Sequence, residues 1–449
     1  MAPHILGPEP VQADTSFLGT RPCPPLSYPA SFMEEVSTSI DQGLTESEKL
    51  IAHAMKTRIE AIDLETCSPG SEDSFFVADL GIVYSQFMRW KNCLPRVTPF
   101  YAMKCNGDPK VLQLLAALGT GFDCASRNEI QTILDLGVSQ DRIIYAHPCK
   151  VASYIRYASS VGVEKMVFDN AEELYKCAKY HPTAKLFLRI VTDDSQSLCQ
   201  FSVKYGAALE NTQSLLQLAK DLGLNVAGVS FHVGSGAGDP NAFLDAVRNA
   251  KRVFDQGAAI GMHLNTLDVG GGFSDDSFES SAAVLGDALD KYFPEESGVT
   301  LMAEPGRFFV SEAFTIASHV IARRIIENQN KAMLYLNDGV YGNMNCILFD
   351  HQEPVPKVLT YQGKFMYGER YQKQKTSRDV SVWGPTCDGI DCISKSCQLP
   401  VLLDVGDWMY FTSFGAYTVA ASTTFNGFNG DCETLYVCSK KEVEQYIKL

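Results

Sequence analysis

Hydrophobic periodicity is absent at the start of the chain and sets in abruptly. Residues 1–43, rich in Pro, Ser and Gly and including Arg21-Pro-Cys-Pro-Pro25, show no sustained period and are expected to form a flexible N-terminal arm. Thr45-Glu-Ser-Glu48 can close a capping box, after which Leu50, Ile51, Ala54, Ile59 and Ile62 recur at helical spacing. Phe75-Phe-Val-Ala78 then reads as a strand, and residues 44–79 are expected to pack with a C-terminal β domain. Beyond it, β-rich runs at Val97–Ala102, Gly121–Cys124, Arg142–Ala146, Met166–Phe168, Lys185–Ile190, Val226–His232, Thr266–Val269 and Thr300–Ala303 alternate with helical segments such as Ala242–Gln256. This α/β alternation across residues 80–315 predicts a parallel (β/α)8 barrel, with a doubly wound open sheet as the competing architecture. After about residue 315 strand-like alternation takes over, as in Met333-Leu-Tyr-Leu336 and Asp407-Trp-Met-Tyr-Phe411, so residues 316–449 are expected to form a mainly β domain. Within it, residues 355–380 carry several Lys, Gln and Arg and read as an exposed loop or hairpin.

Composition narrows the function classes. A chain of 449 residues with 45% hydrophobic side chains can hold a large barrel and a second domain. Thirty-eight basic against 53 acidic residues give a net charge of −15, which argues against nucleic acid and favours cationic ligands. No apolar run is long enough to span a bilayer, and Met1-Ala-Pro-His-Ile5 lacks the basic start and apolar core of an export signal, so a cytoplasmic protein without a membrane partner is expected. The 14 cysteines are therefore expected to be reduced thiols. Cys387, Cys392 and Cys397 have neither zinc-knuckle nor redox Cys-x-x-Cys spacing, and no metal is expected.

The chemistry collects at strand ends. Lys104 closes an apolar run, and Asp123, Arg189, His232, Gly270 and Glu304 lie at or just beyond other strand C-termini. In a barrel that face carries the active site, where a partly desolvated lysine is expected to lose pKa and become an amine nucleophile. Gly270, Gly271 and Gly272 follow the seventh barrel strand, at the usual phosphate position, and Arg307 in Glu304-Pro-Gly-Arg307 can add a bidentate ligand. His232-Val-Gly-Ser-Gly-Ala-Gly238 has glycines resembling a dinucleotide loop, but no acidic residue in a following βαβ unit supports that use. Lysine, phosphate cradle, carboxylate and imidazole together point to pyridoxal phosphate. Lys104 would hold the aldehyde as an imine, Glu304 would keep the pyridine nitrogen protonated and His232 would stack on the ring. Asp123 and Arg189 would balance charge around the imine, with a buried ion pair as their alternative.

The motifs Pro99-Phe-Tyr-Ala-Met-Lys-Cys-Asn106, Gly121-Phe-Asp-Cys-Ala-Ser126, His232-Val-Gly-Ser235, Asp268-Val-Gly-Gly-Gly-Phe273, Glu304-Pro-Gly-Arg307, Trp383-Gly-Pro-Thr-Cys-Asp-Gly-Ile-Asp391 and Gly415-Ala-Tyr417 resemble those of the eukaryotic ornithine decarboxylases, in the same order, from about residue 74 to 430. The resemblance implies a pyridoxal-phosphate barrel joined to a β domain, as in the alanine-racemase-like fold, and a head-to-tail homodimer. It implies Ser235, Gly272, Arg307 and Tyr417 as phosphate ligands, and Cys387 as a proton donor completing the other subunit's site. Phe349, Asp350, Asp388 and Asp391 are implied at the distal end of the basic amino acid. The implied activity is conversion of ornithine to putrescine; the alternatives are a lysine/ornithine decarboxylase and a silent paralogue of the antizyme-inhibitor type. An antizyme-type regulator is an implied partner. Met103 and Gly107 depart from the family pattern beside Lys104, where a smaller aliphatic and a more polar residue are usual.

Overall fold

The computed structural model describes residues 43–237, 239–368, 378–428 and 430–448. All but the last residue of the expected N-terminal arm lie outside them. The helix Glu46–Glu60 begins with the expected capping box: Glu48 N–H donates to the Thr45 hydroxyl, and Thr45 N–H donates to the Glu48 carboxylate. Its Ile51, Ala54 and Met55 are buried in one cluster with Phe75 and Val77 of β1 (Phe75–Asp79).

The strands that follow are β2 (Val97–Ala102), β3 (Gly121–Cys124), β4 (Ile143–Tyr145), β5 (Lys165–Phe168), β6 (Lys185–Arg189), β7 (Ser197–Cys199), β8 (Asn225–Ser230), β9 (Ser235–Ala237), β10 (Thr266–Asp268) and β11 (Thr300–Ala303). All except β7 and β9 close into a parallel barrel in the order β10-β11-β2-β3-β4-β5-β6-β8, which decides against an open doubly wound sheet. Phe100, Ile144, Val167, Phe187, Ala227 and Met302 fill the interior as one buried cluster. Outside, the helix Asn241–Ala259 buries Phe243, Ala246, Val247, Ala250 and Val253, an i, i+3, i+4 stripe that packs it onto the barrel. Trp90, on the helix Leu80–Cys93, is fully buried among Phe273, Phe278, Phe308 and Phe309 and donates its indole N–H to Val97 O at 2.9 Å. It ties that helix to the start of β2 and to the segments after β10 and β11.

The remaining strands are β12 (Phe314–Ile326), β13 (Lys331–Leu336), β14 (Lys357–Val358), β15 (Thr360–Tyr361), β16 (Lys364–Phe365), β17 (Asp379–Trp383), β18 (Cys392–Gln398), β19 (Trp408–Phe411) and β20 (Glu433–Val437). An eight-stranded sheet runs β14-β19-β12-β13-β17-β18, with β1 joined to β12 and β20. The strand preceding the barrel therefore pairs with strands that follow it. The segment expected to be an exposed loop or hairpin does contain a hairpin, β15–β16, but it is not wholly exposed: Val358, Leu359, Met366 and Tyr367 are buried, and Tyr367 stacks on Tyr410 at 4.6 Å. These apolar positions sit among charged ones, which hid them in the sequence; residues 369–377 lie outside the described set. Among the described residues no helix is long and apolar enough to cross a membrane.

Candidate active site

Parallel pairing brings the C-terminal ends of the barrel strands to one rim. Lys104 lies in a 3-10 turn, Met103–Cys105, directly after β2, and the register sets Ala102 opposite Asp123 on β3. Lys104 Nζ consequently forms an ion pair with Asp123 Oδ2. Asp123 is buried, whereas the Lys104 side chain is 39% accessible. Desolvation pulls the amine down, but the acidic groups around it, Asp123 foremost, outweigh it and hold the ammonium above the ordinary lysine range. The expectation of a lowered pKa is thereby corrected: desolvation was legible in the apolar run, while the carboxylate supplied by the adjacent strand was not. Arg189, at the end of β6, lies over the Tyr205 ring at 5.3 Å, so the Asp123–Arg189 ion pair weighed as an alternative is not the pairing found.

Glu304 follows β11, and Asp268 ends β10. Burial pushes Asp268 up to about 7 against the pull of the Gly270 N–H, which donates to its Oδ1 at 2.9 Å. Burial and the nearby Asp268 and Asp123 charges push Glu304 well above its ordinary value. Two carboxyl groups buried side by side disfavour ionising together, so the pair as a whole favours retaining a proton. Burial, with Arg189 and Lys104 nearby, pushes His232 well below its usual value, so its ring is neutral. Gly234 N–H donates to His232 Nδ1 at 3.0 Å, which leaves the ring proton on Nε2.

The glycines shape a concave wall. A Cβ on Gly271 would lie 2.7 Å from His232 Nε2, and one on Gly270, whose φ is +66°, would lie 2.0 Å from Phe231 O. Gly272 also has a positive φ, +107°. Arg307 Nη2 donates to Ser235 Oγ at 3.1 Å and to both oxygens of Asp350 at 2.5 and 2.7 Å, with Tyr417 below the guanidinium at 5.2 Å. Ser235 begins β9, which pairs antiparallel with β7; this ribbon stands where a dinucleotide loop would need a helix.

Other expected site residues lie apart from this rim in the single chain. Cys387 is exposed, with its N–H donated to Asn426 Oδ1 at 3.0 Å, and Asp388 accepts from the Tyr341 hydroxyl at 2.5 Å. Phe349, by contrast, stays beside the rim: it directly precedes Asp350, its carbonyl oxygen lies 4.0 Å from Cys199 Sγ of β7, and the residue is 65% exposed. Asp391 is buried and has both oxygens committed: Val340 N–H donates to Oδ1, and the Thr386 N–H and hydroxyl donate to Oδ2. It shapes the loop that presents Cys387 and Asp388 and has no free face for a ligand, a correction to its expected substrate contact. Met103 is buried with Sδ 3.9 Å from Cys124 Sγ, and a Cβ on Gly107 would meet nothing within 4 Å, so neither departure blocks the rim. Ser230 was not singled out from the sequence, and Asp268 entered only as the first residue of the Asp268-Val-Gly-Gly-Gly-Phe273 motif, with no role given to it.

Asp123 Oδ1, Ser230 Oγ and Arg307 Nε are buried at this rim without a protein partner, as a site built for a polar ligand requires. A family model described as "Pyridoxal-dependent decarboxylase, pyridoxal binding domain" matches residues 80–311. This chain belongs to the pyridoxal-dependent decarboxylases. It is 55% identical over 419 residues to the ornithine decarboxylase of Neurospora crassa, covering 88% of this chain and 87% of that one. It is also 47% identical over 385 residues to antizyme inhibitor 2 of Xenopus laevis, covering 82% of each. Among solved structures, the arginine decarboxylase of Paramecium bursaria Chlorella virus bound to agmatine superposes with a TM-score of 0.78 at 34% identity, covering 86% of this chain and all of that one. The lysine/ornithine decarboxylase of Vibrio vulnificus complexed with putrescine gives 0.74 at 30%, covering 86% and 98%. Pyridoxal phosphate fits the residues of this decarboxylase: an amine for its aldehyde, a carboxyl pair for its ring nitrogen, and an arginine, a serine and a glycine turn for its phosphate.

Proposed function

We propose that this chain decarboxylates L-ornithine to putrescine and carbon dioxide, the first step of polyamine synthesis, as a cytoplasmic homodimer with shared active sites. The observation that carries the reading is the Lys104–Asp123 pair, ringed by Glu304, His232 and Arg307, in a chain 55% identical to an ornithine decarboxylase. Bound pyridoxal phosphate supplies the electron sink that accepts the bonding pair as carbon dioxide leaves. Lys104 Nζ must pass a proton from the ion pair before its lone pair is available, and Asp123 Oδ2 is the adjacent acceptor. Glu304 and Asp268, buried together, favour holding a proton at the foot of the site. Neutral His232 offers a flat, uncharged face, and its fixed tautomer prevents it from competing for that proton. Arg307, Ser235 and the glycine turn anchor a phosphate, while Tyr417 backs the guanidinium.

A second copy of the chain would bring its exposed Cys387 and Asp388 to this rim, the cysteine to protonate the α-carbon and the aspartate to receive the distal ammonium alongside Asp350. The thirteen cysteines among the described residues are free, which supports a reducing compartment. The relative named antizyme inhibitor 2 favours a second reading, a silent regulatory paralogue, and makes an antizyme-type protein a candidate partner. Retention of Lys104, Asp123, Arg189, Cys387 and Asp388 weighs against silence. Purified protein given pyridoxal phosphate is expected to show the visible absorbance of covalently bound cofactor, lost in Lys104→Ala, and to release carbon dioxide from ornithine. Absence of both overturns the enzyme reading.

A further inference from the structure

Asp350 is nearly buried, and its neighbours come from separate parts of the chain. Arg307 Nη2 reaches both of its oxygens from the segment after β11, and Gln352 Nε2 donates to Oδ2 at 2.9 Å. Cys199 Sγ lies 3.8 Å from Oδ1, bringing the β7 ribbon against the same carboxylate. The guanidinium expected to hold a phosphate is therefore already engaged by a carboxylate, and its Nε stays buried without a partner. A buried arginine prefers one good anionic partner, and a phosphate dianion arriving at Nη2 meets both a competitor and a like charge.

We propose that Asp350 is a positioning residue that couples the two ends of the site, exchanging Arg307 for the distal ammonium of a diamine or basic amino acid and so releasing the arginine to the cofactor phosphate. The inference rests on the reading of Arg307 as phosphate ligand and Asp350 as ammonium acceptor. It makes phosphate binding and cation binding mutually favourable. Linkage requires the effect to be equal in both directions.

The test uses the full-length protein freed of cofactor and 4′-deoxypyridoxine 5′-phosphate, which has no aldehyde and so cannot link to Lys104 or to the diamine. The dissociation constant of this probe is measured with and without putrescine. In the unmodified protein putrescine is expected to tighten probe binding by roughly fivefold or more. Asp350→Asn is expected to bind the probe more tightly than the unmodified protein and to lose the putrescine effect. Damage to the site would weaken binding, so tightening separates the exchange from a merely structural role. If the unmodified protein binds the probe but putrescine does not tighten it, or if Asp350→Asn binds it no more tightly, the exchange is overturned and the phosphate reading stands. If the unmodified protein does not bind the probe at all, the phosphate reading fails and the exchange with it. The putrescine arm needs no variant, so a poorly folding Asp350→Asn does not end the test.

Discussion

At the scale of single residues, the site is organised by which protons are held where. Asp123, supplied by β3, favours the ammonium form of Lys104, and burial together with the Asp268 charge favours the protonated form of Glu304. The raised Asp268 value makes a signed prediction. A carboxyl whose folded pKa lies above its unfolded value binds more protons in the folded state between the two, so the contribution of Asp268 to stability falls as pH rises from about 4 to about 7 and is then level. Asp268→Asn keeps an acceptor for the Gly270 N–H and removes this titration. Its stability relative to the unmodified protein is therefore expected to improve progressively across that window, as measured by denaturant unfolding of the cofactor-free protein at a series of pH values. The identity of the reactive residues was legible in the sequence because a lone charge at the end of an apolar run stands out. Their protonation was not, because it depends on neighbours supplied by strand register.

At the scale of elements, the barrel was legible because its strands are buried on both faces and read as apolar runs, each bounded by turn residues, so the runs lie within two residues of the strands found. The β7–β9 ribbon was not: Ser197-Leu-Cys199 is short and partly exposed, and its pairing relies on Gly234 at φ +86°, where a Cβ would come 2.4 Å from that of Ser197. The buried part of residues 355–367 was hidden for a similar reason, since its strands are only two residues long and Lys357, Gln362, Gly363 and Lys364 interrupt the apolar positions. Trp90 is the element-scale clamp of the rim, joining its helix to β2 and to the segments behind the glycine turn and Arg307. Trp90→Ala is expected to destabilise the fold by about 3–5 kcal/mol, read from denaturant midpoints, and to weaken cofactor retention.

At the scale of the whole molecule, the chain presents two separate groups of residues, which the proposed dimer would join into one site: the rim with Lys104, and the loop with Cys387 and Asp388 whose shape depends on buried Asp391. Subunit sharing predicts that inactive Lys104→Ala and inactive Cys387→Ala proteins regain activity on mixing, to about a quarter of the unmodified level if two-fold dimers exchange at random. No recovery despite demonstrated exchange would place each complete site within one chain. The barrel and sheet are common to decarboxylases named for arginine, lysine and ornithine, so the fold does not select the substrate; on the proposed reading that task falls to Asp350 and Asp388. A single methylene is worth only about 1–3 kcal/mol in a pocket, so ornithine should lead lysine by roughly tenfold or more in kcat/KM. The decisive measurement is carbon dioxide release from carboxyl-labelled ornithine, lysine and arginine by the cofactor-loaded protein: the account predicts ornithine first and arginine last, and a preference for lysine or arginine, or no release from any of them, would contradict it.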